Sequence, residues 1–366
     1  MKTLYTSVAV VLLAAMPVQA QEFSLDALIE AAKAEPPITI YDSTGKIVDM
    51  AEAFTAKYGV QATGQKVSAN SQLEMLIREA QAGNIQGDVA LLTDTPAAIA
   101  QLLPTGVLVS WVPPDLEGDI PEQYRNPLAI STNANVWAYN TGKYTECPIS
   151  NIWQLTEPEW KGKVALIDPL TKGTYTDWFN QMAMHGDAAL RTAYEAQYGK
   201  PLETDLPSAS AAWLAAMGAN GPLMADGDDR VSEAVGAPGQ EEPFVGLLSS
   251  AKFRDNADKG YQLGLCTGLN PWVGWSYTKL GLIAAGTDSP NAARLFIHYV
   301  LTEEGIMPQM KDGKMPTSTA IALPSDEPSG LAAHLDALFP YDAATGLDDW
   351  DSRQDWQDFW RVHYQR

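Results

Sequence analysis

The sequence predicts an α/β protein of two lobes, each a mainly parallel sheet flanked by helices. Three observations predict it. Short apolar strand-like runs alternate with amphipathic stretches from residue 38 onward, the pattern of a parallel sheet covered by helices. The 366 residues exceed the roughly 250–300 at which a single hydrophobic core stops growing. Hydrophobic residues make up 46% of the chain, which excludes disorder as its dominant state.

Residues 1–20 read as a signal peptide outside the fold. Lys2 gives a basic start, residues 7–16 (SVAVVLLAAM) a compact apolar run, and Val18 and Ala20 the small residues a signal peptidase reads. The run is shorter than the roughly 20 residues a spanning helix needs. We expect cleavage after Ala20. No cysteine follows that point to carry a lipid anchor, and no later segment is apolar enough to span a membrane. The expected product is a soluble periplasmic protein, a monomer, without direct membrane insertion.

The elements then follow in order. Residues 25–33 have helical spacing, and 38–41 (ITIY) form a strand. Residues 42–45 turn into a helix over 47–57, with Ile47, Met50, Ala51 and Phe54 on one face. Residues 61–67 are a second strand, 71–82 a helix with Leu73, Leu76, Ile77 and Ala80 aligned, and 88–92 (DVALL) a buried strand. Residues 136–139 (VWAY) form a strand leaving the first lobe, and 164–167 (VALI) another strand. Helices are expected over 174–185, 208–217 and 291–301, and a strand over 244–248 (FVGLL). Residues 261–265 lead to a second crossover at 268–271. In the tail, Trp356, Phe359, Trp360 and His363 line one helical face, a packing surface. No repeat or long low-complexity linker is present, so crossing strands join the lobes.

The formal charge is −21, and without Lys2 it becomes −22 (23 basic against 45 acidic residues). Such a field repels nucleic acid and anionic membranes. It also repels anionic solutes at long range, so an anion site needs strong local compensation. Cys147 and Cys266 are the only cysteines. Export permits a disulfide between them, and two buried free thiols are the alternative; geometry decides.

Three stretches, ITIYDSTGKIVDMAEAFTAKYGV, WQLTEPEWKGKVALIDP and SPNAARLFIHYVLTEEG, resemble the bacterial extracellular solute-binding proteins of ABC importers, in the cluster that includes the ferric-iron-binding proteins. The resemblance implies a periplasmic-binding-protein fold of the second type, whose two lobes close on a solute. It implies permease subunits as partners and no cofactor. The first lobe would comprise residues 21–132 and 272–366, and the second 133–271.

In such a cleft, ligand groups meet strand ends and helix N-termini, where free N–H groups and the helix dipole favour negative charge. Ser43, Thr44 and Gly45 open the first such helix; Ser68, Asn70 and Ser71 the second; Thr93 and Thr95 the third. Lys172, Gly173 and Thr174 stand at the corresponding junction in the second lobe, and Thr132 at the first crossover. Each turn read alone is equally a helix cap; four together fit one anion-binding cleft. Lys172 and Arg230 either supply compensating charge or are solvated. Trp137, Trp272, Trp275 and Tyr277 flank the crossovers, and either stack on a ring of the solute or pack the hinge. Asp228-Asp229 and Glu241-Glu242 read as solvated loops.

Ferric sites in this family use adjacent tyrosines, often with histidine and a carboxylate. Here no Tyr-Tyr pair exists, and His185, His298, His334 and His363 lie in helical patterns away from the expected cleft loops. The expected cargo is therefore a small organic anion, such as a sugar phosphate, with ferric iron as the alternative. A secreted hydrolase is the rival class, but no Gly-x-Ser-x-Gly elbow, His-Glu-x-x-His helix or Cys-x-x-Cys pair is present.

Overall fold

The structure is a computed structural model and describes residues 23–365, so the signal peptide and its cleavage point lie outside the described residues. The chain runs α1 (Leu25–Lys33), β1 (Ile38–Asp42), α2 (Lys46–Tyr58), β2 (Ala62–Lys66), α3 (Ala69–Ala82), β3 (Val89–Leu92), α4 (Thr95–Ala97), β4 (Leu108–Ser110) and β5 (Ala129–Asn140). It continues through β6 (Val164–Ile167), α5 (Gly173–His185), α6 (Asp187–Tyr198), α7 (Ala209–Ala219), β7 (Leu223–Ala225), α8 (Asp228–Gly236), β8 (Val245–Ser249), α9 (Asp255–Asp258) and β9 (Leu263–Leu265). It ends with β10 (Gly274–Ala284), α10 (Pro290–Val300), α11 (Glu303–Met310), β11 (Met315–Pro316), β12 (Leu338–Phe339) and α12 (Gly346–His363).

The strands form one continuous path, β2-β1-β3-β10-β5-β8-β6-β7, with two parallel halves. β1 pairs parallel with β2 and β3 in one lobe; β6 pairs parallel with β7 and β8 in the other. The long antiparallel strands β5 and β10 join them. The start of β10 pairs with β5, while its end, Leu280–Ile283, pairs with β3. The later part of β5, Asn135–Ala138, pairs with β8. These two strands are the crossovers. They lie close enough that a Cβ on Gly274 would stand 2.1 Å from the Asn135 carbonyl oxygen, so only glycine fits.

The period of two along the first-lobe strands explains its two-sided core. Ile38, Ile40, Val89 and Leu91 face α2, α10 and α11, where Phe54, Phe296 and Ile306 are buried. Tyr41, Ala90 and Leu92 face α3 and pack near Leu76. The second lobe has a separate core around Trp137, Trp178, Trp213 and Phe179. Cys147 and Cys266 are joined in a disulfide, with Cα atoms 5.1 Å apart, which resolves the two alternatives in favour of the bridge.

Trp360 of α12 is fully buried against Phe179 of α5, and Trp356 and Phe359 pack beside it, so the tail's aromatic stripe is a packing surface. The helix lies on α5 and α7 of the second lobe and also touches α4 of the first. No described helix is long and apolar enough to cross a membrane.

Candidate functional site

Between the lobes lies a cavity of about 550 Å³. All four hydroxyl-rich turns contribute to its wall: Ser43, Thr44 and Gly45 before α2; Ser68 before α3; Thr93 and Asp94 after β3; and Lys172, Gly173 and Thr174 at the start of α5. Local chemistry explains their shapes. The Asp42 carboxylate accepts from the Thr44 amide and organises the first turn. Ser68 caps α3 by accepting from the Ser71 amide, and Asp94 caps α4 by accepting from the Ala97 amide. α2 and α5 differ, because neither Gly45 nor Lys172 caps its helix with a side chain. The dipole ends of those two helices face the cavity wall. The Thr174 hydroxyl and the Asn133 side-chain oxygen are buried there without a hydrogen-bond partner.

The remaining expected residues stand elsewhere. Ser71 is spent on Ser68. The Thr95 hydroxyl meets that of Thr278 at 2.6 Å, tying the start of α4 to β10. Thr132 is held in the sheet between β10 and β11. Arg230 is exposed and pairs with Glu233 one helical turn away, outside the cavity lining. Trp272 packs edge-on against Phe339, Trp137 is buried against Trp213, and Trp275 stacks on Trp178, so these three rings build the hinge region. Tyr277 alone of the flanking aromatics lines the cavity. Burial, then the Asp228 carboxylate, pushes its phenol well above the usual range. Asn70 is the second residue of α3, and its side chain lies outside the described residues.

Sequence reasoning missed most of the charge. Six cations line the cavity, Lys66, Lys172, Lys252, Arg254, Lys279 and Lys314, together with five carboxylates, Asp94, Asp226, Asp228, Asp229 and Asp312. Asp228 and Asp229, read as a solvated loop, instead open α8 and also line the cavity. Asp228 pairs with Lys172 at 3.4 Å, and Asp229 with Lys252, which holds the Asp229 carboxyl below its usual range. Arg254 pairs with Asp312 at 2.8 Å, and Lys279 with Asp42 at 2.6 Å. Lys66 and Lys314 make no ion pair among the described residues. Cations thus outnumber carboxylates on this wall by one, in a chain of net charge −21.

Behind the cavity, Arg353 of α12 donates to Asp94 of the first lobe and to Asp177 of α5 at 2.5–2.8 Å. Asp349 accepts from Asn180 and Gln181 beside it. Burial pushes Asp177 up to about 7 despite Arg353, with Asp94 and Asp349 adding to the rise. None of the four histidines lines the cavity, and the described residues contain no cluster of three or more His, Cys, Asp or Glu fit to hold a metal.

The model of the bacterial extracellular solute-binding protein family matches residues 38–313. The chain belongs to that family. This solute-binding protein shares its two-lobed fold with iron-bound HitA of Pseudomonas aeruginosa, at 17% identity and a TM-score of 0.67, covering 89% of this chain and 98% of that one. The substrate-binding protein of an ABC transporter from Agrobacterium tumefaciens matches at 16% identity and a TM-score of 0.68, covering 90% and 95%. The IdiA (FutA) protein of Trichodesmium, in complex with iron and citrate, matches at 16% identity and a TM-score of 0.64, covering 90% and 100%. No curated protein matches the chain. The family is one of extracellular solute-binding proteins, not of enzymes.

Proposed function

We propose that this solute-binding protein captures an anionic cargo in the periplasm by closing its lobes, and passes it to the permease subunits of an ABC importer. The observation that carries this reading is the cavity wall: two helix starts without a side-chain cap, and six cations against five carboxylates, with Lys66 and Lys314 in no ion pair among the described residues, in a chain of net charge −21. The lobe boundaries we assign are residues 21–132 with 272–366, and 133–271, with α12 packed on the second lobe. A cargo that touches both walls stabilises the closed form by its differential affinity for that form.

Of the two cargoes expected from the sequence, the comparisons favour iron. The Pseudomonas relative is iron-bound and the Trichodesmium relative holds iron and citrate, while none of those named is described with a phosphorylated compound. The donor set offers one phenol, kept protonated by its surroundings, and no histidine. Iron would therefore arrive with its own oxygen donors. An anionic ferric chelate satisfies both the charge of the wall and the company the fold keeps.

Calorimetric titration with ferric citrate, citrate alone and glucose 6-phosphate tests the reading. Ferric citrate is expected to bind most tightly, and citrate more weakly. A purple-red absorbance band with iron would show that Tyr277 coordinates the metal directly. Heat from glucose 6-phosphate alone would replace the iron reading with the phosphorylated one. Absence of binding by every anion would overturn the anionic cargo itself.

A further inference from the structure

Lys314 is fixed by its backbone on both sides. Its amide donates to the Gln309 carbonyl at the end of α11, at 3.3 Å, and the next two residues form β11 against β5. The side chain lines the cavity with only 9% of the residue exposed. Its surroundings are uneven. Asp42 is committed to Lys279 at 2.6 Å and also accepts from the Gln309 amide group at 3.0 Å. Asp312 is committed to Arg254. Glu327, which abuts Gly313, accepts from the Ser329 and Leu331 amides. Lys279 is a like charge. The carbonyl end of α11 favours the cation, as do Asp42 and Asp312, but both carboxylates are already paired with other cations.

We propose that Lys314 reads the cargo's charge: its buried amine lines the cavity without an ion pair, and an anionic cargo supplies the counterion that holds it as an ammonium. The inference rests on the anionic-cargo reading above. Its physical basis is that a buried charge without a partner is strongly disfavoured, so the amine sheds its proton when the cavity holds no anion. Burial pushes Lys314 down to about 7; Lys279 lowers it further, while Asp42 and Asp312 oppose the fall. An anion beside the amine restores the proton, and linkage then makes affinity depend on pH. The nearby Lys279–Asp42 pair is internally matched and leaves the cargo nothing to neutralise.

The test is calorimetry with ferric citrate and with sulfate, whose charge is constant over the range. It is run from about pH 6 to about pH 8.5, in buffers of different ionisation heat. Affinity is expected to fall roughly tenfold for each pH unit above the amine's titration, with close to one proton taken up per complex at the alkaline end. Lys314→Met should bind weakly with no pH dependence. Lys314→Arg should bind at every pH, also without the dependence, because its charge is permanent. Equal affinity across the range with no proton uptake, or a Lys314→Met protein that binds like the parent, would overturn the inference while leaving the anionic cargo standing. Failure of both anions at every pH would remove the anionic reading, and this inference with it.

Discussion

At the cavity wall, Lys279 and Lys314 of the first lobe and Arg254 of the second meet two carboxylates, Asp42 and Asp312. Behind the cavity, Arg353 alone serves Asp94 and Asp177, with Asp349 alongside. Apart from the half-exposed Arg254, both clusters are largely buried, and the formal charges of their side chains sum to opposite signs. The carboxylate-rich cluster settles its surplus internally. Asp177 rises to about 7, burial lifts Asp349 as well, and Asn180 and Gln181 donate to Asp349. The cation-rich cluster leaves Lys314 at the cavity wall without an ion pair, with burial pushing its amine down to about 7. The difference teaches that burial of charge serves two ends here: one cluster ties α12 across both lobes, and the other holds an unpaired amine at the cavity wall.

The comparison breaks first at Lys279. Lys279→Met leaves Asp42 buried without its cation, and the unliganded protein should lose about 3–5 kcal/mol in urea unfolding. A loss under ~1 kcal/mol would mean that the pair is not sealed from water. Arg353→Met should cost less, about 2–3 kcal/mol near neutral pH, because its carboxylates can hold protons instead. That cost should shrink as the pH falls.

The pH dependence sharpens the contrast. The folded-state pKa of Asp177 lies above its unfolded value, so its stabilising contribution is full below about pH 4 and is lost as pH rises to about 7. Lys314 is depressed to about 7, so its contribution is full above the ordinary lysine range and is lost as pH falls through 7. Urea midpoints against pH should therefore flatten between pH 4 and 7 in Asp177→Asn, and between about 7 and 10 in Lys314→Met. Unchanged profiles would show that these two groups do not titrate as placed. The smallest expected effect on stability is that of Thr44→Ala with Thr174→Ala. It should weaken cargo binding about tenfold or more, at roughly 1 kcal/mol per lost hydrogen bond, with little change in melting temperature.

Much of the fold was legible because strands and helix starts are written in neighbouring residues. The alternation of Ile38 and Ile40, the turn at Asp42–Gly45 and the stripe of Trp356 and Trp360 each announce themselves within a few positions. The turns around the cavity were legible for the same reason. The charge of the wall was not. Lys279 finds Asp42 across 237 positions and Arg353 finds Asp94 across 259, pairings that only the folded crossover creates. The start of α8 was hidden because Asp228-Asp229 looks like any acidic loop until Lys172 and Lys252 are placed opposite it. Arg230 misled for the converse reason: its partner, Glu233, lies on its own helix.

The most direct measurement is the charge of the natural cargo. The protein would be taken from the periplasm of its own cell, examined by native mass spectrometry, and the released molecule identified. The account predicts a bound species that is anionic at neutral pH, with or without iron. A neutral or cationic solute held in the cleft would contradict it.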